Sequence, residues 1–188
     1  MKYSENPRFD LKSYKAISQA ISTYEDLQLL FQHLVEGICR SFKIKGSSIL
    51  LYDENEEQLF RVSSHGLSDE YLHKGVIYMD DEYQEFLKGR VIVVDDLTKD
   101  SRVQYVKAAT DEGIVAIHSI PIWSKNTIIG ILKNYHSNSI VPHEEDLDSM
   151  SVLMHQLGLV IELNGLRNLV SSVKSAMESL PSHLLSGM

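Results

Sequence analysis

Two residues stand out chemically because their neighbours are apolar. Lys133 lies in the run Thr127–His136, where strand alternation puts Lys133 and Tyr135 on one face and Leu132 and Asn134 on the other. An ammonium in the middle of a central strand needs water, a counter-charge or a ligand. Lys133 could therefore meet a carboxylate or phosphate, or pair with an Asp or Glu from a loop. His118 lies in the run Ile114–Ile122, on the face that alternation shares among Ile114, Ala116 and Ile120. A neutral imidazole there could hydrogen-bond a ligand, bind a metal or ligate haem. It could equally be a core histidine satisfied by a hydroxyl or a backbone group. No second haem ligand or attachment motif accompanies it.

Other chemistries are excluded by what is missing. The chain has no GxSxG elbow, no GxxxxGK[ST] phosphate loop, no GxGxxG fingerprint and no HExxH pair, so it is expected not to be an enzyme. Its single cysteine, Cys39, rules out an intramolecular disulfide and a four-thiolate zinc site, and sits in an apolar helical stretch. Neither a metal nor a cofactor is expected. With 18 Lys and Arg against 26 Asp and Glu, the net charge is −8, which argues against a nucleic-acid or anionic-membrane partner. No apolar run approaches the roughly 18 residues of a membrane span. The N-terminal Met1–Pro7 has no signal-peptide core, so the expected location is the cytoplasm.

The elements that must position these residues follow from period changes. Leu11, Tyr14, Ile17 and Ile21 mark a helix over 10–22. Thr23-Tyr24-Glu25-Asp26 reads as a cap, and Leu27, Leu30, Phe31, Leu34, Val35 and Ile38 make a second, strongly amphipathic helix. Ser47–Asp53 and Gln58–Ser64 form a hairpin around a polar turn. Gly66–Glu70 leads into a short helical turn. The stretch 71–90 is hard to assign, with a short helix suggested at 82–87. Val91–Val94 is a strand, Ser101–Thr110 a helix, and Ile114–Ile122 a strand covered on both faces. That strand pairs with Thr127–His136 in a second hairpin. Pro142 and the acids after it open a long helix that Pro181 stops. This order suggests an α+β sandwich around an antiparallel sheet.

Five segments resemble the GAF domain, a small-ligand sensor module of signalling proteins. They are Ser48–Asp53, Val62–Ser68 with its Gly-Leu exit, Val93–Arg102, Gly113–Ile122 and Ile129–Leu132. The resemblance implies a central antiparallel sheet of about six strands, with helices from both termini on one face and a ligand pocket on the other. It places His118, Lys133, Tyr135 and Ile114 toward that pocket, with Tyr105 above its mouth and Asp96 at a strand exit. The plain alternatives are packing for Tyr105 and loop capping for Asp96. Three specialised branches of the family fit poorly. The free methionine sulfoxide reductase branch needs several cysteines, Cys39 is misplaced for a bilin, and the Asn-Lys pair of cyclic-nucleotide binders is replaced by His136-Ser137.

The chain therefore reads as an N-terminal helix (1–22), a GAF-like domain (23–165) and a C-terminal helical extension (166–188). Leu159, Leu163, Leu166, Val170, Val173, Met177 and Leu180 step by 4, 3, 4, 3, 4 and 3, a heptad stripe. Together with Ile17 and Ile21 it suggests a homodimer seam, although the stripe could instead fold back on the first helix. The expected function is a regulatory sensor domain that binds an unidentified small molecule and passes its state through the terminal helices. The alternative is a pure dimerisation or interaction module with a degenerate pocket. No output domain is recognisable after residue 181, which leaves the reader of the signal to an output domain or a partner protein.

Overall fold

The computed structural model describes residues 10–78 and 88–178. Helix α1 (Leu11–Thr23) starts at Asp10, whose side chain accepts from the Ser13 amide at 2.8 Å. Helix α2 (Leu27–Phe42) starts at Asp26, which accepts from the amides of Gln28 and Leu29. The expected cap at Thr23 is corrected. Thr23 ends α1 with its hydroxyl on the Gln19 carbonyl, because a carboxylate nearer the second helix takes its free amides.

Strands β1 (Gly46–Asp53) and β2 (Gln58–His65) form the first hairpin. Helix α3 (Asp69–Leu72) and strand β3 (Ile77–Tyr78) follow, then β4 (Ile92–Val94), helix α4 (Val106–Asp111) and the β5 (Ala116–Ser124)–β6 (Thr127–His136) hairpin. Helix α5 (Glu144–Glu178) ends the described chain. The helix expected over 101–110 is shorter, since Tyr105 is held left-handed at φ 60° and no helix can run through it. The helix suggested at 82–87 and the stop at Pro181 lie outside the described residues.

All six strands join one antiparallel sheet in the order β3-β2-β1-β6-β5-β4. The sheet separates two cores. On one side Ile49, Ile120, Ile122 and Leu132 pack against α1, α2 and α5. On the other, Leu50, Ile117, Ile131 and Tyr135 pack against Tyr71, Ile77, Val94 and Leu97. Sheet residues thus alternate between two apolar layers, which is why β5 reads as apolar on both faces.

Helix α5 is buried on the sheet through Leu147, Met150, Leu153, Met154 and Leu157. At Gly158 a Cβ would lie 1.7 Å from the Trp123 carbonyl oxygen, so only glycine lets helix and strand approach this closely. The Trp123 ring stacks on His155 with centroids 5.8 Å apart. Glu162 accepts from the Ser124 hydroxyl at 2.6 Å and pairs with Lys125 at 2.5 Å. The tip of the β5–β6 hairpin is thereby fastened to α5.

Ile17 and Ile21, expected in a seam between copies, are 6% and 0% exposed within the single chain. They sit in the core between α1, α2 and α5, where Gln156 also bonds Ser18 and Ser22. Past Asn164, which still donates to the Glu25 carbonyl at 3.3 Å, α5 leaves the domain. Leu159, Leu163, Leu166, Val170 and Val173 are each about half or more exposed, so the stripe does not fold back on α1. The side chain of Met177 lies outside the described residues.

Candidate functional site

The sheet face away from the helices carries one polar row. Register aligns Ser48 of β1 with Lys133 of β6, and Lys133 with Ser119 of β5. These three are 2%, 5% and 5% exposed, set among Leu50, Ile117, Ile131 and Tyr135. Burying an ammonium and two hydroxyls at the centre of an apolar face is costly unless each has a partner. The Ser48 hydroxyl has no hydrogen-bond partner.

The segment around α3 and the loop before α4 cover this row. The Ser68 hydroxyl caps α3, and Tyr71 packs edge-on against Tyr135 with centroids 5.7 Å apart. Lys74 follows, its ammonium 3.8 Å from the centre of the Tyr71 ring. The Gln104 side chain then mimics a strand, donating to the Tyr78 carbonyl at 2.8 Å and accepting from the Tyr78 amide at 3.2 Å. Tyr105 donates to the Val76 carbonyl at 2.7 Å. Arg102 is clamped on Asp100 through two hydrogen bonds.

Between sheet and cover lies a cavity of about 30 Å³, with Lys133, Ser119, Lys74, Arg102, Gln104 and Tyr135 among its lining residues. That is room for a water molecule or two. An open groove of about 270 Å³ adjoins it, lined in part by Ser48, Arg61 and Leu50. Lys74, Ile77 and Tyr135 line both, and so form the partition between them. Burial, with Lys133 and Arg61 nearby, pushes the Lys74 ammonium down to about 8, against a smaller opposing pull from Glu112.

Lys133 and Tyr135 share this cavity, as alternation indicated. His118 does not. The strand begins only at Ala116, so alternation cannot be carried back to Ile114. His118 pairs in register with Asn134 and lies on the helical side. There its ring lies tilted against that of His136, centroids 4.3 Å apart, beside Ile140, His143 and Asp146 in a separate cavity of about 20 Å³. Among the described residues no group of three His, Cys, Asp or Glu is arranged to hold a metal. Ile114 is buried in the pocket-side core without lining the cavity. Tyr105 lies outside the cavity and pins its cover. Asp96 is a loop cap, accepting from Thr98 and pairing with Lys99 at 2.7 Å. Those contacts, the Lys99 hydrogen bond foremost, hold it down at about 2.

Sequence reasoning missed Ser48, Ser119, Lys74 and Arg102 as parts of one site. Ser119 and Ser48 become visible only through strand register. Arg102 stands in the quoted segment Val93–Arg102, and Lys74 in the stretch without a period.

A family model described as the GAF domain matches residues 25–162. No curated protein matches the sequence. Among solved structures, the GAF domain of a phosphoenolpyruvate-protein phosphotransferase from Coxiella burnetii superposes with a TM-score of 0.73 at 16% identity, covering 84% of this chain and 95% of that one. The free methionine-R-sulfoxide reductase from Neisseria meningitidis, solved with its substrate, gives 0.69 at 15% identity, covering 89% and 98%. A methyl-accepting chemotaxis protein fragment gives 0.62 at 21% identity, covering 80% and 97%.

Proposed function

The chain belongs to the GAF domain family, and from that premise we propose that it is a non-catalytic sensor module. It binds a small molecule on the pocket face of its sheet and transmits occupancy through α5 in a homodimer. The observation that carries this reading is the buried polar row Ser48–Lys133–Ser119 under a cover stitched down by Gln104 and Tyr105. The unpartnered Ser48 hydroxyl in that row is costly in a purely structural sheet and useful in a recognition site. Sensor contexts among the similar structures, such as the chemotaxis protein, accord with it. The non-catalytic part rests on the lone thiol. Burial, helped by Glu36, pushes Cys39 up to about 12, which leaves almost no thiolate at neutral pH.

The dimer rests on α5. The exposed stripe Leu159–Leu163–Leu166–Val170–Val173 has coiled-coil spacing, and a stripe of this kind is stably covered by the same stripe on a second copy. Native mass spectrometry of the purified protein, combined with a thermal-shift screen of a broad metabolite set, tests both parts. The expected result is a dimer, with a retained or stabilising small molecule. A monomer at micromolar concentration overturns the dimer, and the absence of any stabilising molecule overturns the sensor.

One observation favours a second reading, a dimerisation module whose pocket is closed. The inner cavity holds little more than water. On that reading no metabolite shifts the melting temperature, while the dimer persists.

A further inference from the structure

Val152 is the exception on the seated part of α5. It is 55% exposed, while Met150, Leu153, Met154 and Leu157 around it are buried on the sheet. A single exposed valine would need no explanation. Val152, however, keeps strict period with the stripe beyond the seat. Val152, Leu159, Leu166 and Val173 follow one another at seven-residue intervals. The last three are 56%, 53% and 51% exposed. One line along the helix thus stays open to the same degree on its seated and free parts, over about 32 Å at the rise of an α-helix. Between these positions lie Gln156, Leu163 and Val170. Gln156 is bonded to Ser18 and Ser22, so α1 borders the line at that level. One interval before Val152 the line reaches Glu145, which is exposed.

From Leu159 to Val173 the stripe spans only two repeats, which is short for a helix pair in water. With Val152 it spans three. Resting on the dimer reading above, we propose that the seam begins at Val152, on the domain body, and that the second copy lies parallel and in register. Each of the four residues then faces its own counterpart, valine on valine at both ends and leucine on leucine between. Glu145 ends the seam, because two carboxylates facing each other across the axis repel. An antiparallel partner that reaches Val152 puts Val173 against Gln156 or a residue before it. One that sets Leu166 against Val170 carries Val152 past residue 178.

At Val152 the partner touches the seat of α5 itself. The adjoining Met150 and Leu153 pack in one layer with Ile120, Ile122 and Leu132 of the sheet. Paired helices lie about 8–10 Å apart. A shift of α5 on its own sheet therefore reaches the second copy at the seat, before the free part of the helix is involved.

Single cysteines in the full chain test the placement. Val152→Cys, Leu159→Cys and Leu166→Cys are each oxidised with diamide and run on a non-reducing gel. Each should form a covalent dimer. Ser171→Cys, exposed on another face of α5, should not. Cys39 is buried and stays in place, with the unaltered chain as its control. Val152→Glu should raise the dimer dissociation constant about tenfold or more in sedimentation. Its melt should stay cooperative, because the side chain it replaces is open. Cross-linking at Leu166 but not at Val152 confines the seam to the free part and overturns the proposal, leaving the dimer intact. Val152→Cys that cross-links only when mixed with Val170→Cys means an antiparallel pair and overturns it too, as does a dissociation constant unmoved by Val152→Glu. A monomer of the unaltered chain in native mass spectrometry overturns the dimer reading itself.

Discussion

Gly158 and Gly165 sit on the same helix and should respond to alanine in opposite directions. A Cβ at Gly158 collides with the Trp123 backbone, whereas one at Gly165 meets nothing within 4 Å. Gly158→Ala should cost about 2 kcal/mol or more by overpacking, and Gly165→Ala should gain about 1 kcal/mol from helix propensity, both read by urea unfolding. The ionisable groups set a second expectation. Asp100 is held below the ordinary carboxylate value chiefly by Arg102. For Glu112 burial acts upward, but hydrogen bonds from Ser68 and Lys45 outweigh it and the net shift is down. Groups lowered in the folded state stabilise it above their unfolded values and lose that contribution as pH falls through the folded ones. Stability should therefore decline from about pH 4.5 downward, and Glu112→Gln should flatten the decline. Lys74 acts at the other end. Its lowered value means that folding sheds a proton between about pH 8 and 10.5, so its share of stability rises with pH there. At this scale the sequence was half legible. Lys133 and Tyr135 could be put on one face by alternation, but Ser48 and Ser119 could not be set beside Lys133, because cross-strand register is a tertiary fact. His118 does share a face with Ala116 and Ile120, but that face meets the helices, and in a strand apolar on both sides alternation does not say which face meets the pocket.

At the scale of elements, α5 divides into a seated part and a free part. Up to Leu157 its apolar residues other than Val152 are almost wholly buried, and from Leu159 the stripe is open. A double change, Leu166→Glu with Val173→Glu, should convert a dimer to a monomer in light scattering. The melting temperature of the core should change little, because neither side chain packs within the chain. Persistence of the dimer would move the interface elsewhere. The helices and hairpins were readable because their apolar periods are strong, and the heptad was readable because it is long. Two errors have local causes. Asp26 caps α2 in place of Thr23, and the left-handed Tyr105 cuts short the helix before Val106. The partners of α1 were not readable, since an amphipathic stripe says that a face is covered and not by what. Ile17 and Ile21 are covered by α2 and α5 of their own chain.

In the molecule as a whole, the cavity face of the sheet and the seat of α5 share two strands. Ser119 and Lys133 point to the cavity, while Ile120, Ile122 and Leu132 on the same strands press on the helical layer. A ligand that prefers one arrangement of the cover can bias the seat of α5 by no more than its differential affinity for the two states. A cysteine placed at Leu166 should cross-link between copies at different rates with and without saturating ligand. Equal rates would mean that the pocket and the stripe act independently. The layer order was legible from the succession of elements, whereas the closeness of the cavity walls depends on side-chain packing that no pattern encodes.

The joint between hairpin and helix also gives the protein its own optical gauge. Trp123 is the only tryptophan in the chain. One edge of its ring lies where a side chain at Gly89, in the turn before β4, would be, and its face lies on His155 of α5. All indole emission therefore originates at the contact through which the sheet holds the helix. A change in wavelength or in quenching on adding a small molecule, excited where tyrosine does not absorb, reports that contact directly, with no label and no second indole to subtract.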